Sequence, residues 1–454
     1  MRRMAQMGLE NAMNLGMSCV AWRRPLRHPD ALNYEDKQHR RRECQRDVIT
    51  VPQLLSYLDQ DHERKVFSYQ WLWVLGEYME QVKNLCEHAN FLLRTRGAIL
   101  EIPKEPDHPF TISTTSGAEH DLPKFLSSIF DFMKSMGQTK EDHMVRMFPL
   151  GGDGLTYELY GRIMEQRQLH PGEFTSLRVL NRKMEWWHTE WTNDLRIINK
   201  HLVSYASKDP STLGHSALKI ARTIRINQGK YDYNQGSELM YFVLDMRMLD
   251  CWRLILLREA KQRKIDVTAD TDLFEVVKRL GLANVIPELE EFESLADELN
   301  RTYSTEGAIY RSANGLLDSN SVFPPKGSIW EPSVPVSTIV ESPEAVTSLT
   351  SRVLDALDSD VTLATTPKTK KQAKTVEKPP PTADSVLSRS QDFIREAMRS
   401  REMKWAVADG DPGRVYEQMK RAMFCFAGSS HQKYAQYLLE TVIDLELESS
   451  PELR

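Results

Sequence analysis

Cysteine is scarce in this 454-residue chain, with five residues, Cys19, Cys44, Cys86, Cys251 and Cys425, scattered and odd in number. No CxxC pair occurs among them, so neither a disulfide framework nor a structural zinc site is expected, and a reducing compartment fits best. Long apolar runs are missing too. The most apolar stretches, Met240 to Leu244 and Leu254 to Leu257, fall far short of the roughly 20 residues that span a bilayer, so no membrane partner is expected. The N-terminus, MRRMAQMGLENAMNLGM, places Asn, Glu and Gly where a secretory signal needs an unbroken apolar stretch, which leaves an intracellular location. A charge excess of one sign is absent as well: 59 Lys plus Arg stand against 64 Asp plus Glu, a net charge of −5. Nucleic acid is therefore not drawn in by a whole-molecule field, and any polyanion binding needs a local patch. GxGxxG, GxxxxGK[ST] and HExxH are all missing, which removes the common nucleotide-binding loops and the helical metalloprotease site.

What is present is a hydrophobic content of 41%, enough for real cores in two or three domains. Residues 1 to 47 mix Met, Arg and His without a sustained period and are expected to be a weakly ordered leader. From Thr50 and Pro52 helical spacing begins, and Trp71, Leu75, Tyr78, Val82, Leu85 and Ala89 form one apolar stripe that predicts a helix over 68–96. The segments 98–102 and 110–113, either side of KEPDHP, read as short extended runs in a hairpin. Residues 125–136 read as a helix, 145–150 as a buried strand, and the segment from Thr156 as a helix followed by one carrying Trp186, Trp187 and Trp191. Gly236 and Ser237 open a long helix through Leu256; shorter helices end at Gly281 and begin after Pro287. Residues 305–382 are rich in Ser, Pro and Lys and read as a flexible linker, with a short helix near 346–357. Helices resume over 383–454, and this C-terminal segment is expected to pack back on the main domain of residues 48–304. The fold class is mainly α with a small mixed β-sheet, an α+β arrangement.

The strongest chemical candidate is Asp153 in GGDGLTYE, because a carboxylate at a strand end beside glycines can approach a metal or phosphate closely. The alternative is a turn in which Gly151, Gly152 and Gly154 supply positive φ and Asp153 caps the next helix. His188 in EWWHTEW is a candidate base or ligand, or else a histidine packed among tryptophans, with Glu185 and Glu190 as solvated helix positions. His431, after Gly428, Ser429 and Ser430, joins a phosphate-binding turn or follows a serine cap. Cys251 and Cys425 sit in apolar helical patterns and read as small hydrophobes. Lys368, Lys370, Lys371, Lys374 and Lys378 form a basic cluster suited to nucleic acid, to nuclear import or simply to a solvated linker.

Several blocks in order carry a further signal: PLGGDGLTYE at 149–158, WHTEWTNDLRI at 187–197, DPSTLGHSALKIAR at 209–222, ELMYFVLDMRMLDCWR at 238–253, then GDPGRV and FAGSSHQKYAQYLLE at 410–415 and 426–440. From Val48 onward the chain resembles a domain of unknown function widespread in fungi, particularly mushroom-forming ones, whose many copies imply descent from mobile elements. The resemblance brings no activity. Its strand-end Gly-Asp pattern is similar to the acidic site of RNase H-like transposases, by analogy alone, and implies a distant RNase H-like core. On that analogy Asp153 would be a divalent-metal ligand of a two-metal site; an enzyme of this kind would use Glu158 or Glu440 as partner carboxylate, and His188 is kept as a further catalytic candidate. An Asp-Asn-rich block that the family carries upstream is not found in residues 1–47, and the family pattern continues past Arg454, so a truncated or diverged member with an incomplete acidic set is expected. Three functions stand open at this point: a mobile-element-derived relic or binding protein without intact catalysis, a metal-dependent nuclease-like enzyme, and a helical protein-interaction scaffold.

Overall fold

The computed structural model describes residues 17–22, 28–44, 46–100, 102, 109–115, 121–137, 146–170, 172, 174–227, 230–282, 289–315, 384–451 and 453. The elements run β1 (Met17–Trp22), α1 (Tyr34–Glu43), α2 (Val51–Ser56), α3 (Gln60–Tyr78), α4 (Asn84–Thr95), β2 (Pro109–Thr115), α5 (Leu122–Ser135), β3 (Phe148–Gly152), α6 (Gly154–Arg167), β4 (Leu180–Met184) and α7 (Trp186–Leu202). They continue as α8 (Leu213–Lys219), β5 (Ile226–Asn227), β6 (Lys230–Tyr231), α9 (Tyr233–Gln262), α10 (Leu273–Arg279), α11 (Leu289–Tyr303), α12 (Glu306–Ala313), α13 (Ser385–Asp409), α14 (Pro412–Ala427) and α15 (Gln432–Ile443). The chain is mainly helical with a little sheet, as its composition and periodicity imply. Among the described residues no helix is long and apolar enough to cross a membrane.

The parallel and antiparallel pairings do not share one mixed sheet. β1 pairs with β2 and β5 with β6, both antiparallel, while β3 and β4 form a separate parallel pair in register from Phe148 opposite Leu180 to Gly152 opposite Met184. Pro149 inside β3 has no N–H to donate, which limits the ladder that strand can build. The hairpin expected across 98–113 is not formed. β2 takes its partner from the leader instead, and the backbone N–H groups of Ile99 and Leu100 donate to Asp411 at 2.8 and 3.0 Å. The leader, expected to be weakly ordered, thus supplies β1, and α1 besides.

The chain divides into two compact units. The first unit gathers residues 1–50, 103–189 and 437–454. Its core joins α5, β3, α6 and β4 through Phe125, Ile129, Met133, Leu150, Leu159, Tyr160, Ile163, Leu177 and Leu180. α6 is the crossover between the parallel strands, which an adjacent parallel pair requires.

The second unit, residues 51–102 and 190–436, is helical apart from the short β5–β6 pair. The single helix expected over 68–96 is two: α3 ends at Tyr78, Met79 is extended, and α4 packs back on α3. The apolar stripe is real, but it is shared between two helices that face a common core. Trp71, Leu75, Val82, Leu85 and Ala89 are all at 0% exposure in that core, whereas Tyr78 at the break is 39% exposed. Asp232, not Ser237, caps α9, its carboxylate accepting from Gln235 N at 3.0 Å. Asp384 and Asp411 likewise cap α13 and α14, and Gly410 closes α13 at φ +72°. Residues 306–313, placed in the linker on composition, form helix α12 and pack against α13. The remainder of that linker and the helix expected near 346–357 lie outside the described residues.

Helix α13 carries charge into the interior of the second unit. Arg399 grips Glu63 with two hydrogen bonds of 2.6 and 3.1 Å, and Arg421 reaches the same carboxylate at 2.9 Å. Burial pushes the Glu63 carboxyl upward, but Arg399, Arg421 and Arg395 outweigh it and hold its pKa well below the usual carboxylate range. A depressed native pKa gives stability that is present above the unfolded value of 4.5 and lost as pH falls below it. The urea midpoint of the second unit is therefore expected to stay level near neutrality and fall on acidification below about pH 4.5; an unchanged midpoint down to pH about 3 contradicts the assignment.

Candidate functional site

The segment after β3 shows what Asp153 does. Its Oδ1 accepts from Thr156 N at 2.9 Å, which makes Asp153 the N-cap of α6. The flanking glycines do not supply positive φ as the turn reading expects; Gly137, Gly281, Gly315 and Gly410 are the described glycines that do. Gly152 is needed for space, because a Cβ there would stand 2.3 Å from Thr156 Cγ2.

The residues expected to join Asp153 are otherwise engaged. Glu158 pairs with Arg162 on the next turn of α6 and accepts from the Tyr437 hydroxyl at 3.0 Å. Glu440 pairs with Arg46 and lies 3.7 Å from Arg182 Nη2. His188 Nε2 stands 3.9 Å from Asp153 Oδ2, too long for a hydrogen bond and within ion-pair reach only when protonated. Its ring lies edge-on to Trp187 at 4.6 Å, and Trp187 is 55% exposed, so the pair is not in a core. Among the described residues, the three-ligand group suited to a metal is His201, Asp392 and Glu396, not Asp153. That group is already neutralised: Lys200 Nζ lies 2.6 Å from Asp392 and 3.2 Å from Glu396, and Arg196 lies 2.8 Å from Glu396. Among the described residues, no group of three metal-ligating side chains forms around Asp153.

A cap and a metal ligand respond differently to substitution. Asparagine caps as well as aspartate, so Asp153→Asn is expected to leave stability nearly unchanged, while Asp153→Ala loses about 1 kcal/mol by urea denaturation. Equal losses in both variants, or loss of a bound divalent ion in both, would point to a ligand instead.

The other candidates also find structural roles. Glu190 is not solvated: it is buried, 3.6 Å from Lys404 Nζ and 3.4 Å from the Tyr233 hydroxyl, and burial raises its pKa. Ser429 Oγ accepts from His431 N at 3.2 Å, and burial, assisted by Arg196, lowers the His431 pKa and so disfavours the cation a phosphate would want. Burial raises the Cys251 thiol far above its usual range, so it is a small hydrophobe rather than a nucleophile. The lysines 368, 370, 371, 374 and 378 lie outside the described residues.

A feature that the motifs do not announce is a cavity of about 70 Å³ within the first unit. Six cationic side chains line it, Lys37, Arg41, Arg46, Arg178, Arg182 and Lys183, against three carboxylates, Glu440, Asp444 and Glu448. Lys37 pairs with Asp444, which Lys183 also reaches at 3.0 Å. Burial lowers the Lys37 pKa, with Asp444 opposing and Lys183 assisting; Lys183 and Lys37 in turn overcome burial and hold Asp444 below its usual range. Arg46 pairs with Glu440 and with Glu448 at 2.9 Å, and Arg41 reaches Glu448 at 3.2 Å. Arg182 lies over the Tyr157 ring at 4.4 Å, and a Cβ at Gly161 would strike its Nη1 at 2.3 Å, so Gly161 makes room for that guanidinium. Burial pushes the Tyr157 phenol up to about 12, with Arg182 opposing. Three positive charges remain unbalanced around the cavity. Consecutive β4 residues from Leu180 to Lys183, an α1 that reads as leader, and acids from 440–448 converge here, so no single stretch of sequence carries the pattern.

A family model described as a family of unknown function (DUF6589) matches residues 45–454. No curated protein and no solved structure matches the chain.

Proposed function

Because the chain belongs to the family of unknown function DUF6589, which carries no activity over to it, we propose that it is a binding protein of mobile-element descent, without intact catalysis, that holds nucleic acid through the cationic cavity of its first unit. The observation that carries this reading is the surplus of cations there, six against three carboxylates, in a molecule whose net charge is −5. A local positive site on an otherwise acidic chain is what selective phosphate contact needs, since phosphate neutralisation supplies most of the affinity of such proteins. Mobile-element descent rests on the ordered sequence blocks, and a nuclear location rests on the lysines at 368–374. The capping role of Asp153 argues against catalysis at that position.

The test uses the full chain with a fluorescein-labelled single-stranded oligonucleotide and Mn²⁺. The expected result is binding that weakens steeply with salt and a strand that stays intact. Strand cleavage that disappears in Asp153→Asn would replace this reading by the nuclease-like one. Absent or salt-independent binding would favour the interaction scaffold.

A further inference from the structure

The acids that face the cavity of the first unit come from one short segment. Glu440, Asp444 and Glu448 recur every fourth residue, and all three line the cavity. Each engages two cations. Glu440 pairs with Arg46 and lies 3.7 Å from Arg182, Asp444 pairs with Lys37 and with Lys183 at 3.0 Å, and Glu448 takes Arg46 at 2.9 Å and Arg41 at 3.2 Å. Five of the six lining cations are therefore occupied by residues 440–448, and among the described contacts Arg178 is the one that none of these acids reaches. The last two acids sit on a π-helical turn, Asp444–Glu448, a rare geometry that is frequent at functional sites.

At Glu440 the hold is loose. The Arg46 side chain is 31% and that of Glu440 25% exposed, and ion pairs that water can reach are worth little. A phosphate offers Arg46 and Arg182 the same kind of charged acceptor as the Glu440 carboxylate, so the two compete for one set of donors. A single anion gains only the difference between itself and the carboxylate it displaces. Successive phosphates on one strand act at high effective concentration once the first is bound, and so win the same competition.

We propose that Glu440, Asp444 and Glu448 form an autoinhibitory strap, which occupies the phosphate-binding cations of the cavity and yields Arg46 and Arg182 to a chain of phosphates but not to a single anion. The strap rests on the nucleic-acid reading above and adds the regulation of that site. Specificity of this kind is built by penalising the wrong ligand, because every anion must compete with a carboxylate already in place. Glu440 is the acid to change, since Arg46 keeps Glu448 when Glu440 loses its charge and no cation is stranded there.

Binding of a fluorescein-labelled 5′-hydroxyl decathymidylate to the full chain tests the strap, with Glu440→Gln set against Asp131→Asn, which removes the same charge from an exposed position on α5 that does not line the cavity. Glu440→Gln is expected to bind the strand about tenfold tighter than wild type, with a salt slope steeper by about 1.4, two contacts at about 0.7 each. Asp131→Asn should keep the wild-type slope and an affinity within about twofold. Glu440→Asp leaves the net charge as it is and draws the carboxylate back by one carbon from Arg182; it should bind about threefold tighter with a slope steeper by about 0.7, whether or not the glutamine variant folds. Inorganic phosphate at about 10 mM and constant ionic strength should leave the strand bound to the wild type. A gain in Glu440→Gln no larger than that in Asp131→Asn, an unchanged slope in both Glu440 variants, or displacement of the strand by phosphate overturns the strap. A strand that binds neither the wild type nor the Glu440 variants would end the nucleic-acid reading itself.

Discussion

Replacing Arg414 with alanine is expected to destabilise the second unit by about 3–5 kcal/mol, among the largest effects of any single substitution in the chain. The Arg414 side chain is 1% exposed and that of Glu402 is 0% exposed. The guanidinium grips the carboxylate with Nε to Oε1 at 2.7 Å and Nη2 to Oε2 at 3.0 Å, and its Nη1 donates to Asp409 at 2.8 Å. Burial opposes the charge of Arg414, but Glu402 more than restores it and raises the pKa. Alanine removes the cation and strands an acid in the interior, so the loss reflects an orphaned charge rather than the net worth of the pair. Two corollaries follow. The penalty should shrink on acidification, because Glu402 without its partner takes up a proton, and Arg414→Met combined with Glu402→Leu should recover most of the stability. Urea denaturation decides the matter, and a loss under about 1 kcal/mol for Arg414→Ala contradicts the buried pairing.

Trp252→Ala should weaken the same unit by a similar amount, about 3–5 kcal/mol, for a different reason. Trp252 is at 0% exposure, its Nε1–H donates to the Trp71 carbonyl at 2.8 Å, and its ring lies 6.1 Å from that of Phe292. It therefore ties α9 to α3 and α11 at one point, and truncation leaves a large void with little freedom to collapse. Trp252→Phe keeps most of the volume but loses the indole donor, so a smaller loss of about 1–2 kcal/mol is expected. Equal losses for alanine and phenylalanine would mean that the hydrogen bond, not the volume, carries the site.

Legibility in the sequence followed the range of the interactions involved. Local signals read well: the stripes of α9, α10 and α11, the Asp-Pro start of α14 and the Gly410 close of α13 are set within a turn or two of chain. The break at Met79 was not legible, because a stripe that continues in phase looks the same whether one helix or two present it to a common core. Pairing of β2 with β1 joins segments about ninety residues apart in the chain, and no local pattern specifies such a partner. For the site, the capping alternative for Asp153 was written in the GDGLT spacing, whereas its relation to other acids was not. The cavity depended on residues from 34 to 46, 147 to 183 and 440 to 448, and charge counts along the chain cannot reveal a surplus that arises only on folding.

Whether the cavity of the first unit holds anionic ligands is decided by the salt dependence of oligonucleotide affinity in the wild type and in Arg178→Gln/Lys183→Gln. Arg178 is exposed and donates to the Gln168 carbonyl at 3.1 Å, and Lys183 is a second reach for an Asp444 that keeps Lys37, so neither change should disturb the fold. Each lost phosphate contact lowers the slope of log K against log salt by about 0.7 on a single strand. Weaker binding and a slope reduced by about 1.4 are expected in the double variant; identical affinity and slope in the two proteins would mean that the cavity does not bind the strand.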